Sequence, residues 1–323
     1  MKVDWKELAK AGEHWLLLFD SVFSEDNVSL HSRPLKSAMW LVREGISELP
    51  PGESKDNYFD REWFAALVVA IQEWYEDRYG SQAFSRDKTL LYGLVHLHGT
   101  PVRLEIPQTI SEVQIENETS WLIFPDAIHE TESILSFFLS KPNLRSLSPE
   151  ELTKLEEQVT QVVKITRRVN LNLNFASNLP DKAKQMVAGV WGHVEKGVAD
   201  ILTLKSEIAA VGCWELHLAV EKAFKVLIHQ NGNEIKGHDL VELSNKAKLI
   251  GLNVTQETLQ KLPHWKTSIE YRYGEKEIAI DEAVEVYIAA LHLLYEITTK
   301  LRRDLVINNA KFLLKKPNWV GRK

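Results

Sequence analysis

One cysteine in 323 residues, Cys213, leaves the chain without a partner for an internal disulfide and without a cysteine-based metal site. No run approaches the ~18 consecutive apolar residues of a spanning helix. The N-terminus, MKVDWKELAKAGEHWLLLFD, mixes acids into its apolar positions and lacks the uninterrupted core of a signal peptide. These absences predict a cytoplasmic protein with no membrane partner. Several catalytic signatures are missing too. There is no glycine-rich phosphate loop, no Gly-x-Ser-x-Gly elbow, no His-Glu-x-x-His, and no nucleotidyltransferase Gly-Ser pair with a paired-acid strand.

What is present is ordinary in amount and uneven in distribution. Apolar residues make up 44% and charged residues 26%, and the length suffices for two cored domains. Residues 1–145 carry 14 Lys/Arg against 23 Asp/Glu, 146–205 carry 8 against 7, and 206–323 carry 17 against 15. The net charges are therefore −9, +1 and +2. The positive excess gathers at the end of the chain, where Lys300, Arg302, Arg303, Lys311, Lys315, Lys316, Arg322 and Lys323 face a single acid, Asp304, and interleave with Phe312 and Trp319. Such a segment can contact nucleic acid through phosphates and stacking. It also reads as a solvated helix end followed by a tail.

Residues 4–23, 33–49 and 60–79 carry helical periodicity, the second with proline in its first turn and the third with Asp60 as its expected N-cap. From Thr89 the period becomes that of strands: a hairpin around His98-Gly99-Thr100, then short strands at Val113–Ile115 and Trp121–Phe124. A short helix is expected over 126–140. Ser148, Pro149 and the acids after them start a long helix, and the next one carries Gly189, Gly192 and Gly197, which permit close helix approach. The expected architecture is mainly α. It comprises an acidic α+β domain with a small antiparallel sheet at 1–145, linking helices at 146–204, a helical bundle at 205–305 and a basic tail at 306–323.

The most informative stretch is EIAAVGCWELHLAVEKAFKVLIHQNGNEIKGHDL, 207–240. Two adjacent apolar stripes make its first two dozen residues a core helix that places Cys213 inside. Asn231-Gly232 ends it, and Asp239 caps the next helix. Within it, Ala219, Glu221-Lys222 and Lys225 form an Ala-x-Glu-Lys-x-x-Lys pattern. His238-Asp239-Leu240 follows, then Tyr271-Arg272-Tyr273-Gly274 ahead of a last apolar helix. In this order the pieces resemble the HEPN family of helical domains, over 205–305.

The resemblance implies a bundle of four or five helices that often dimerises and works beside a nucleotidyltransferase-type protein, or cleaves RNA in toxin–antitoxin and antiviral defence systems. Ribonuclease members carry Arg followed after four to six residues by His at the start of the last helix. Here Arg272 occupies the arginine's place and YGEKEIAIDEA follows without a histidine. The chain resembles the branch that lacks the pair, which implies binding of a protein partner. On charge alone, Lys222, Lys225 and Arg272 can bind RNA or a nucleotide if the fold brings them to one groove, and Arg302 and Arg303 of the basic segment are further candidates. The alternatives are a metal-independent ribonuclease with an unusual site, where Arg272 stabilises the phosphate and His238 or His264 serves as acid or base, and a purely structural oligomerisation module. On helix physics alone, Glu221 and Lys225 form an i,i+4 pair of about 0.3 kcal/mol that needs no ligand. His96 and His98 share a strand face without an identifiable third ligand, so neither metal nor cofactor is expected.

Overall fold

The computed structural model describes residues 12–49, 52–80, 90–116 and 118–315. It is mainly helical with a small antiparallel sheet region. Contacts divide the chain into two units: 1–88 with 113–120 and 313–323, and 89–112 with 121–312.

In the first unit, α1 (Glu13–Glu25), α2 (Arg33–Trp40) and α3 (Glu62–Tyr79) enclose a core that includes Leu16, Phe19, Phe23, Leu67 and Ile71. The expected start of the first helix at residues 4–11 lies outside the described residues. The helix expected over 33–49 is shorter. After Trp40 the chain loosens into a π turn, Leu41–Gly45, closed by Ile46 N donating to Leu41 O, and leaves helical geometry at Ile46. Asp60 is not the cap of α3; it ends a 3-10 turn, Tyr58–Asp60, and Arg61 takes the N-cap position. Buried Asp20 is held by Arg33 Nη1 at 2.9 Å and by the Tyr79 hydroxyl at 2.5 Å.

In the second unit, β1 (Leu90–Leu97) pairs antiparallel with β2 (Thr100–Pro107). His98 and Gly99, at φ 53° and 73°, make the tight turn between them. The hairpin buries Leu91, Leu94, Leu104 and Ile106 in one core with Val159 and Val163 of α4 (Pro149–Asn174). It therefore groups with the C-terminal helices, and not with the N-terminal ones as the pattern of residues 1–145 suggested. Gly93 makes this fit possible: a Cβ there would stand 2.7 Å from Val162 Cγ1. β3 (Ile110–Ile115), β4 (Thr119–Ile123) and β5 (Lys311–Lys315) form a three-stranded sheet with β4 central. No full helix forms over 126–140; a single 3-10 turn, Ile134–Phe137, stands there instead. Arg167 binds Glu132 and the Ala127 carbonyl, which holds this stretch in an irregular course.

α4 begins with the expected capping box: Ser148 Oγ accepts from Glu151 N and the Glu151 carboxylate accepts from Ser148 N. α5 (Asp181–Ile201) and α6 (Ser206–Gln230) cross at Gly197 and Gly212. α6 is buried along most of its length, wrapped by α5, α7 (Leu240–Lys248), α9 (Trp265–Arg272) and α10 (Ile280–Thr299), with α8 (Gln256–Gln260) against α10. Gly232, at φ 77°, follows the end of α6, and Asp239 Oδ1 caps α7 by accepting from Val241 N at 2.8 Å.

Candidate functional site

A helix this deeply buried should be apolar throughout, yet α6 carries Glu215, His217, Glu221, His229 and Gln230 inside. Buried polar groups need partners; those of Glu215, His217, Glu221 and Gln230 organise the surface around α6, while His229 Nε2 is buried without one among the described residues. The Glu221 carboxylate accepts from Lys225 Nζ at 2.7 Å and lies 3.0 Å, through each oxygen, from His238 Nδ1. His238 itself is exposed, with 68% of its side chain open to solvent. An exposed imidazole backed by a buried carboxylate is held in one orientation by it.

His217 ties this corner to the next. One ring nitrogen lies 3.1 Å from His238 O and the other 3.0 Å from Pro263 O. Burial pushes His217 below the ordinary imidazole pKa, outweighing the upward pull of the His238 carbonyl, Glu221 and the Pro263 carbonyl. His264, next in the chain, caps α9 through Nδ1, which accepts from Lys266 N at 3.3 Å. That role occupies the nitrogen locally.

Arg272, at the end of α9, stacks its guanidinium 4.9 Å from the Trp214 ring centroid and 5.4 Å from that of Tyr273. Tyr273 is 66% exposed. At the start of the same helix Lys266 lies 5.5 Å over Trp265. α9 thus carries a cation on an aromatic ring at both ends.

The residues singled out from the sequence fall into separate places. Arg272 joins Trp214, eight positions before Lys222, or about 12 Å along α6 at 1.5 Å per residue. Lys222 extends over Gly189 of α5, where a Cβ would stand 2.7 Å from its Nζ. Lys225 is engaged by Glu221. Arg302 Nη2 donates to Asn231 Oδ1 at 3.1 Å, and Arg303 Nη1 donates to Asn172 Oδ1. The backbone of Arg302 is clasped by Gln230, whose Oε1 accepts from Arg302 N at 2.9 Å and whose Nε2 donates to Arg302 O at 3.1 Å. Both arginines therefore secure the segment after α10 to the ends of α4 and α6. His96, His98 and His129 have separate neighbours, Asp281, Ser146 and Thr131 respectively, and no group of three metal-type ligands forms among the described residues.

Sequence reasoning missed His217 and Trp214, and also the pair His193 Nδ1 to Glu215 Oε2 at 2.6 Å, which joins α5 to α6. The available signal was polar residues inside an apolar helical stripe. Their partners come from other helices at no fixed sequence spacing. No helix among the described residues is long and apolar enough to cross a membrane. No family model, curated protein or solved structure matches this chain.

Proposed function

We propose that the C-terminal unit is a HEPN-like binding module, without catalytic function, which takes RNA or a nucleotide at the surface of α9. It would act with a protein partner as a regulatory component of a prokaryotic defence or toxin–antitoxin type system. The observation that carries the binding reading is the Arg272 guanidinium stacked on Trp214 beside exposed Tyr273. A base can stack on Tyr273 while the guanidinium holds a phosphate; aromatic stacking of this kind contributes about 1–3 kcal/mol per base. Glu270, Glu275 and Glu277 flank the platform in sequence and disfavour a long tracked backbone, so the ligand is a nucleotide or one to two bases of a single strand.

The test is fluorescence anisotropy of a labelled single-stranded RNA, with thermal shifts on adding ATP or GTP. Arg272→Glu and Tyr273→Ala should each weaken binding about tenfold or more and abolish the nucleotide-induced rise in melting temperature. Equal affinity of both variants and wild type would sink the reading.

A second reading rests on the His238–Glu221 pair, which is arranged for acid–base chemistry. An RNA-cleavage assay with chelator present separates the two. Cleavage lost in His238→Ala and Arg272→Ala would put the ribonuclease reading first.

A further inference from the structure

A cleft of about 1000 Å³ opens between α4 and α10, away from the α9 platform in the chain. Its floor is apolar, formed by Val162, Ile165, Val284 and Ile288. The volume lies at the upper end of what small-molecule sites use, and an apolar floor with a few convergent polar groups is their usual construction.

The polar groups come from three sources. Glu157 stands on the α4 side and Asp281 and Glu285 on the α10 side, while β1 contributes His96. Among the described residues no Lys or Arg lies within ion-pair distance of Glu157 or Glu285. Lys154, which also lines the cleft, pairs at the surface with Glu150 at 3.0 Å, and among the described residues Lys261 is the other cation of the lining. His292 adds no charge at neutral pH, because burial, then Lys261, lowers its pKa. His96 Nε2 is buried without a hydrogen-bond partner, and its nearest acid, Asp281 Oδ1, is 3.6 Å away, beyond hydrogen-bonding distance. A buried polar atom left in this state calls for a partner.

We propose that this cleft binds a small organic cation, an amine whose apolar body rests on Val284 and Ile288. A primary ammonium carries three donors. Once the exposed Asp281 side chain turns to uncover His96 Nε2, the ammonium can donate to that carboxylate and to the nitrogen together, which supplies the missing partner and neutralises the acidic rim. A carboxylate ligand of the same shape would meet Asp281, Glu285 and Glu157 as like charges.

The experiment titrates the full-length protein with 2-phenylethylamine, 3-phenylpropionate and 2-phenylethanol, followed by calorimetry and by amide chemical shifts. The amine should bind with a dissociation constant in the roughly millimolar range or tighter, with shifts centred on His96, Asp281 and Ile288. Phenylpropionate should bind about tenfold more weakly or not at all. Asp281→Asn combined with Glu285→Gln, both at exposed positions, should weaken the amine about tenfold while leaving the weaker phenylethanol binding unchanged. Ile288→Trp should weaken the amine by filling the floor. Melting temperatures and spectra matching wild type show that each variant is folded. The proposal is overturned if amine and carboxylate bind equally, if the charge-neutral variant binds the amine as wild type does, if the shifts fall elsewhere, or if the folded wild type binds no amine.

Discussion

Arg167 and Glu132 form a bidentate ion pair in which the arginine spends every donor it has. Nη1 and Nη2 reach the two carboxylate oxygens at 2.7 and 2.6 Å, Nη1 also donates to Ala127 O, and Nη2 and Nε donate to Pro107 O. The side chain is 1% exposed. A buried guanidinium is tolerated only when so fully bonded. It pins the end of β2 and the irregular 126–138 stretch to the middle of α4.

Removing one member should cost more than removing both. Glu132→Gln leaves a buried cation without its counter-charge, and a loss of about 3–5 kcal/mol is expected. Glu132→Leu with Arg167→Met should recover part of that, though not all, because the carbonyls of Pro107 and Ala127 lose their donor. Denaturant unfolding of Glu132→Leu, Arg167→Met and the double variant gives the coupling. Additive losses would show that the pair does not act as a unit.

Gly197 and Gly212 fix how close α5 and α6 come. A Cβ on Gly197 would sit 3.0 Å from Gly212 O and 2.9 Å from Leu216 Cγ; one on Gly212 would sit 2.9 Å from Gly197 O. Both meet backbone that cannot step aside. Gly197→Ala or Gly212→Ala should therefore destabilise by about 1–3 kcal/mol. At Gly192 a Cβ meets nothing within 4 Å. Gly192→Ala on the same helix should stabilise by about 0.5–1 kcal/mol, since only the helix propensity term changes. Urea midpoints of the three variants test the contrast, and a loss at Gly192 equal to that at Gly197 would refute it.

The same contrast shows what the sequence made legible. Periodicity and caps are local, and they announced α4 with its capping box, the end of α6 at Asn231-Gly232, the Asp239 cap and the His98-Gly99 hairpin. The glycines of α5 were conspicuous as a group, but their spacing could not tell Gly197 from Gly192, because the difference is Gly212 on another helix. The basic candidates suffered likewise. Lys222, Lys225 and Arg272 look alike as charges, and only tertiary partners separate a lysine held by Glu221 from an arginine stacked on Trp214. Apolar residues at 126–140 suggested a helix that the Arg167 anchor overrides.

His217 should give the fold a measurable acid sensitivity. Its folded pKa is below the unfolded value of about 6.5, so the unfolded chain binds a proton that the folded chain excludes. Stability is then full above about pH 6.5. It falls as pH drops through that value, by up to about 1.4 kcal/mol per pH unit, and levels off below the folded pKa. Glu221 and His238 are the charged and titratable groups beside the ring. His217→Gln keeps one donor for a carbonyl and cannot titrate. Subtracting its unfolding free energies from those of wild type between pH 7.5 and 5 isolates the imidazole, and a flat difference would contradict the assignment.

The basic tail can be tested only if it is cut in the right place. Removing everything after residue 305 would also take Ile307, which is buried, and Asn309, which donates to Asp126 Oδ1 at 2.7 Å and accepts from Asp126 N. It would further remove Phe312, edge-on to Phe124 at 5.9 Å, and all of β5. Lost RNA binding in that truncation would report lost structure. A stop after Lys315 keeps β5 and removes Lys316, Arg322 and Lys323, three of the basic residues. The shorter chain ending at 305 should melt several degrees lower than the chain ending at 315. If the tail touches phosphates, the slope of log affinity against log salt for single-stranded RNA should drop by about 2 in the chain ending at 315. An unchanged slope there, with binding still sensitive to Arg272→Glu, would confine the nucleic-acid surface to α9.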